Sequence, residues 1–470
     1  MRVFHFRTFG VGTIHHAFIR DVTIMETAAP TAAPPLETSS PSSLAASASQ
    51  AASDALDEYI TASGCLVAGS SRGAAVRRLV WGAHPTSGDR IDVLQLTSPR
   101  GGTAAITTAG ARLLYLREPG SGVNVILTPP SLAAVAADGH YLGALVGRTA
   151  NRVRGAVVRV GDVDYPLDAN DGGASLHGGR IGFSRRLWTV ASADVGVSGD
   201  GEQAEAWVTL RRHSGDGEGG HPGGVSVAVT YTLGPGGFRV AAATVNDGGA
   251  GPAVVNLTHH AYWVLATGGG GAPVSVLKDI RLVSSCTRLV MTDAACVATG
   301  ELGDSPAGLN LTGDGPLGVA ADCFLVGPPP PVGKGVSTAA RPVVPGAPGH
   351  TGGGAAAAAT ALSTAALPAP ASLAAPVIAP SGTDHGGLQL LAALTSVATG
   401  RRLRVWSDQP GFQLYTANGF DMAVDGYDRH GAVCVEASAV LGTEEATCVL
   451  QEGETRVQTT VYEVLPPSGG

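Results

Sequence analysis

Alternation of apolar and polar positions at a period of two dominates the chain. Val225, Val227, Val229 and Tyr231 alternate with polar or small residues, a Gly-rich turn follows at 234–237, and Phe238 and Val240 resume the pattern beyond it. Successive side chains of a pleated strand point to opposite faces, so this pattern predicts half-buried strands. The runs 157–160 and 163–167 are separated by Gly161-Asp162, a two-residue hairpin signal. Further alternating runs lie at 403–406, 412–415, 433–436, 447–450 and 456–464, and no comparably long stretch repeats with the 3.6-residue period of a helix. Many short strands between Gly/Pro turns predict an all-β chain, a large antiparallel β-sandwich.

Two regions break the alternation. Residues 1–75 join an Arg-bearing start to an Ala/Ser/Pro stretch in which only Asp21, Glu26 and Glu37 are acidic before Asp54, which reads as a disordered or targeting leader. From 327 to 387 the chain is rich in Pro, Gly and Ala, with no charge between Arg341 and Asp384. Its prolines interrupt any membrane-spanning helix, and its small side chains cannot bury enough apolar surface to order themselves. It reads as a surface insertion in a single β domain over 76–466.

Charge and cysteine usage narrow the classes. Thirty Lys+Arg against thirty-eight Asp+Glu give a formal net charge of −8, and no basic run is available to follow a phosphate backbone, so nucleic acid is not an expected partner, nor is a membrane. Six cysteines are scattered without a CxxC pair, which reads as reduced thiols in a cytoplasmic protein, or a plastid or mitochondrial one if the leader is a transit peptide.

Four polar clusters interrupt the strands with groups that bind hydroxyls or move protons: GRTANR at 147–152, SLHGG at 175–179, NLTHHAYW at 256–263 and QPGFQLYTAN at 409–418. A fifth feature is a lone carboxylate, Glu436, in the apolar run AVCVEASAV. Singly, Arg152 suits a surface ion pair, His177 a glycine loop and His260 a satisfied histidine pair. Glu436 is different, because a carboxylate buried without a partner is costly, and burial lifts its pKa towards the range of a general base. The match to GxSxG at 69–73 follows an apolar run but lies in a β pattern and ahead of the HGG that would serve as oxyanion loop, the reverse of a hydrolase order. His177, His259 and His260 do not make a metal set, since adjacent residues of a strand face opposite ways.

Together, in order and spacing, the clusters resemble the aldose 1-epimerase (galactose mutarotase) family. The matching segments are GALVGRTANR, LHGGRIGFSRRLW, NLTHHAY, QPGFQLYTAN and VCVEAS, and the resemblance runs from about Leu94 to Leu465 without the insertion. It implies that Glu436 is the base and His260 the acid of sugar ring opening. Asn151, Arg152, His177, Tyr262 and Gln413 would hold the sugar. The substrate implied is a free aldohexose such as glucose or galactose, with no metal and no cofactor, in a monomer or homodimer. Within the same fold, a hexose-phosphate 1-epimerase would need extra cations, for which Arg180, Arg185 and Arg186 are the nearby candidates, and a sugar-binding module would need neither acid nor base. The chain departs from the family pattern at His259 and Val264, where Asn is usual, and at Ala321, where the sugar-binding Asp is usual. Asp322 stands one residue late, and the expectation is that it reaches the sugar only through a bulge or a realigned turn.

Overall fold

The chain is all-β, and its sheets are antiparallel throughout their named strands. A computed structural model describes residues 41–85, 87–197, 203–266, 275–327, 385, 387–439 and 448–467. Residues 1–40 of the expected leader and nearly all of the expected insertion lie outside them. No helix among the described residues is long and apolar enough to cross a membrane.

Three larger sheets carry the fold. A five-stranded meander runs in chain order through Cys65–Gly69, Ala75–Ala83, Arg90–Thr97, Thr103–Thr107 and Arg112–Arg117. An eight-stranded sheet contains Val225–Gly234 and Gly237–Asn246, paired across the Gly-rich turn as the alternation predicts, and Thr455–Leu465 beside them. The third sheet has six strands in the order Tyr262–Trp263, Val433–Ser438, Gly411–Tyr415, Asp322–Val326, Arg288–Thr292 and Ala298–Asp304. One apolar core draws on all three, with Leu94 and Leu96 from the first, Val227 and Val229 from the second, and Phe412, Leu414 and Val435 from the third. Burial of such side chains is the main favourable term, roughly 1.5–3 kcal/mol for each large residue.

The structure corrects two expectations. Residues 41–75 are folded. The helix Pro41–Ser63 buries Ser49, Ser53, Leu56 and Ile60, which recur at spacings of three and four, and the strand Cys65–Gly69 pairs with Ala75–Ala83. Half of the helix's inner face is serine. Ser49 Oγ bonds the Ile126 carbonyl at 3.0 Å, and Tyr115 donates to Asp57 at 2.7 Å, so the contact is partly polar and the hydrophobic period is muted. The second correction concerns the late strand expected at 447–450: residue 447 lies outside the described residues, Cys448 is not part of the strand, and the strand covers Val449–Leu450. The GxSxG serine, Ser71, lies exposed in the hairpin turn between the first two strands.

Candidate active site

Strand parity assembles one wall of the site. Gln413 lies opposite Glu436, Tyr415 opposite Cys434, and Cys434 opposite Tyr262, so these side chains share one face of the six-stranded sheet. Phe412, Leu414, Val433, Val435 and Ala437 occupy the other face and enter the core. On the next strand Phe324 pairs with Gln413 and Asp322 with Tyr415, in a register without a shift. Asp322 therefore faces the site by plain alternation, and the bulge expected from the sequence is not needed. Its Oδ1 accepts from Gln413 Nε2 at 2.6 Å and its Oδ2 lies 3.9 Å from Arg152. Ala321, at the family's usual Asp position, is buried on the other face with its amide on Thr416 Oγ1.

Loops and short strands bring the remaining groups. Arg152 pairs with Leu176 across a two-stranded ladder, and this ladder sets Asn151 and His177 side by side, both with left-handed backbones at φ 61° and 54°. The Asn151 amide donates to His177 Nδ1 at 3.2 Å. Gly178 follows at φ 83°, and a Cβ there would lie 2.0 Å from the Gly147 carbonyl, so only glycine lets these two motifs touch. His260 is held from both sides, its amide on the Ala144 carbonyl at 2.9 Å and its carbonyl on the Gly143 amide at 2.8 Å. Asn256, earlier in the same segment, bonds the backbone of Ala439 in both directions and so ties this segment to the end of the Glu436 strand.

The result is a buried acid–base pair. His260 Nε2 lies 3.5 Å from Glu436 Oε1, and both side chains are at most 5% exposed. Glu436 Oε2 has no hydrogen-bond partner among the described residues. Burial, followed by the charge of Asp322, pushes the Glu436 carboxyl well above its ordinary range, with Arg152 opposing. Burial also pulls His260 down to about 4 and His177 well below the usual imidazole range. Asp322 is pushed up by burial, against the pull of Arg152 and Gln413. Burial is the largest influence on Arg152 and lowers its pKa, but the 2.7 Å bond to Asp171 and the charges of Asp322 and Asp171 together outweigh it, so the pKa of the guanidinium is raised.

Donor atoms of His177, His260 and Glu436 lie within 4.8 Å of one another, a spacing that invites a metal reading. The Asn151 bond argues otherwise. With Nδ1 of neutral His177 accepting, its proton sits on Nε2, and the ring offers the pocket a hydrogen-bond donor instead of a lone pair. A donor suits a sugar oxygen.

All eight residues singled out in the sequence fall in or beside this site. His177, His260 and Glu436 form its centre, and the Tyr262 ring stacks on His260 at 5.0 Å and 22°. Asn151, Arg152, Asp322 and Gln413 line an adjoining pocket together with Thr292 and Cys296. His259 faces the opposite way, between Tyr231 and Tyr462, as strand alternation requires. Sequence reasoning missed Tyr141, whose ring lies 4.6 Å from His177 and 5.8 Å from His260, and Cys434, 3.6 Å from His260 Nδ1. Cys434 carried a signal, since it precedes Glu436 by two and must share its face.

Known proteins resemble this chain in sequence and in fold. The profile of the Aldose 1-epimerase family matches residues 92–301. Galactose mutarotase from Homo sapiens is 27% identical over 83% of this chain and 98% of its own length. Aldose 1-epimerase from Haemophilus influenzae is 37% identical over 28% of this chain and 36% of its own. Among solved structures, a galactose 1-epimerase from Lactobacillus acidophilus shares the fold with a TM-score of 0.60 at 17% identity, covering 84% of this chain and all of the other. A Caenorhabditis elegans aldose epimerase homologue does so with 0.56 at 19% identity, covering 78% and 97%. With five motifs in order, their side chains gathered on one buried site and a mammalian galactose mutarotase matched along nearly its whole length, the chain is similar to the aldose 1-epimerase family, whose profile covers residues 92–301.

Proposed function

We propose that this site interconverts the α and β anomers of free aldohexoses such as glucose and galactose. Glu436 takes the proton of the anomeric hydroxyl through its unpartnered oxygen. As the C1–O1 bond becomes a carbonyl, the C1–O5 bond breaks and O5 takes a proton from His260 Nε2. Rotation about C1–C2 presents the other face of the aldehyde, O5 attacks it, and both protons return. The step balances within the two residues and the sugar.

The observation that carries this reading is the 3.5 Å pairing of a buried imidazole with a buried carboxylate that retains a free oxygen. Burial raises the pKa of Glu436 and lowers that of His260, which holds the resting proton on the carboxyl; its transfer across the 3.5 Å gap to His260 Nε2 supplies the carboxylate base and the imidazolium acid with which the cycle begins. Arg152, Asp322 and Gln413, joined in one network, and Asn151 and His177 beside them, supply donors and acceptors for hydroxyls pointing several ways. Of the three arginines that a phosphate would need, Arg180 and Arg186 are committed to Asp168 and Glu218, which leaves Arg185, near Tyr141, as the one candidate cation and so favours a free sugar over a phosphorylated one.

Polarimetry of freshly dissolved α-D-glucose and α-D-galactose tests the reading. The protein should speed the approach to the equilibrium rotation, and Glu436→Gln should slow it by about 10²–10⁴ with the fold intact by circular dichroism. Near-normal turnover in that variant would remove Glu436 as the base.

A further inference from the structure

Of the two ring nitrogens of His260, Nε2 faces Glu436 and Nδ1 faces a thiol. Cys434 Sγ lies 3.6 Å from Nδ1, on the strand of Glu436 and on the same face. It is fully buried, in a cluster with Tyr262, Ala417, Phe420 and Tyr427. The Tyr262 phenol hydrogen-bonds the same sulfur while its ring stacks on the imidazole. The ring is thus held at its face by Tyr262 and Tyr141 and at one edge by Cys434.

We propose that Cys434 is a positioning residue that accepts the Nδ1–H of His260 and so reserves Nε2 for proton transfer with the sugar. This rests on His260 being the acid. In the cycle proposed above, Nε2 gives a proton to O5 and later recovers it, so Nδ1 keeps its own proton throughout. It needs an acceptor in both charge states of the ring.

A carboxylate in this place would also stabilise the imidazolium and make it a weaker acid. A thiol is a neutral, weak acceptor that fixes the ring without that effect. Burial keeps the thiol protonated by pushing its pKa well above the ordinary value, with the charges of Glu436 and Asp322 adding to it. The imidazolium accordingly stays strongly acidic, as donation to a ring ether oxygen requires. Asp138 raises the His260 pKa, and Arg112 and His140 lower it; because Arg112 and Asp138 form a buried pair at 2.6 Å, their charges largely offset one another at the ring.

The test compares Cys434→Ser, Cys434→Ala and Cys434→Val. Serine keeps an acceptor, alanine removes it, and valine removes it while filling the space. Serine should retain most of the wild-type kcat. Alanine and valine should each lower kcat by about tenfold, a part of the roughly 10²–10⁴ that a positioned acid supplies, with KM little changed. Nitrogen-15 NMR of histidine-labelled protein at pH 7 should show His260 as the Nδ1–H tautomer in wild type and the serine variant, and a shift towards Nε2–H in the other two. An Nε2–H tautomer in wild type, one tautomer in all four proteins, or equal kcat losses for serine and alanine would each overturn the proposal. The NMR signal does not depend on turnover. An Nδ1–H wild type without mutarotation would therefore sink the assigned activity and leave the role of Cys434 in orienting the ring standing.

Discussion

At the scale of single residues, the proposed function assigns the far side of the sugar to Asp322. The sequence placed it one position away from the family's Asp, and parity along a strand makes one position the difference between pocket and core. The observed register puts Asp322 in the pocket, bonded to Gln413 and facing Arg152, and puts Ala321 in the core. Hydrogen bonds to sugar hydroxyls exist in ground and transition states alike, so Asp322→Ala should raise KM more than it lowers kcat. Ala321→Asp should not restore the family's arrangement. It would bury a carboxylate beside Thr416 on the core side of the strand, and should lower the melting temperature without lowering KM. Steady-state kinetics with thermal unfolding of the two variants separates these outcomes, and a silent Asp322→Ala would take this strand out of the site.

At the scale of elements, the segment Asn256 to Trp263 shows what one strand-like stretch can divide between two tasks. Alternation sends His260 towards Glu436 and His259 to the core, and this split was legible because the period of a strand is two. The cost of the inward histidine was not legible. Both nitrogens of His259 lack hydrogen-bond partners among the described residues, and burial, with smaller effects from His260 and Arg112, pulls its pKa to about 3. A folded-state pKa below the unfolded value of 6.5 means the unfolded chain binds more protons in that interval, so stability falls as pH drops from about 6.5 towards 3. The slope is at most about 1.4 kcal/mol per pH unit for each such group, and His221 and His260, both near 4, act in the same direction. His259→Asn should flatten this dependence by about one proton, read as urea-unfolding free energies at pH 7, 6 and 5. An unchanged slope would mean that His259 is not held neutral. The helix Pro41–Ser63 failed to register in the sequence for the opposite reason, because half of its buried face is serine bonded to backbone, which carries no hydrophobic period.

At the scale of the whole molecule, the alternation and the turns revealed the sheets, and five motifs revealed the site. What they could not reveal was which strands become neighbours, since Asp322, Gln413 and Glu436 meet through pairings between segments up to a hundred residues apart. The intervening stretch from 328 to 384 interrupts this assembly, yet its two anchor points are held close together. Gly327 donates to the Pro410 carbonyl at 3.0 Å and packs against Cys286, while the preceding Ser284 and Ser285 bond the carbonyls of Leu391 and Leu390. Entry and exit therefore meet on the same short piece, 284–286, and a modest linker can join them. Replacing 334–380 with a short Gly/Ser linker should leave activity and melting temperature nearly unchanged, because each halving of loop length alters closure entropy by only about 0.6 kcal/mol. The sign favours the shorter loop slightly. Loss of soluble protein, or a fall in melting temperature of the size caused by removing core side chains, would show that the stretch contributes packing that its composition does not advertise.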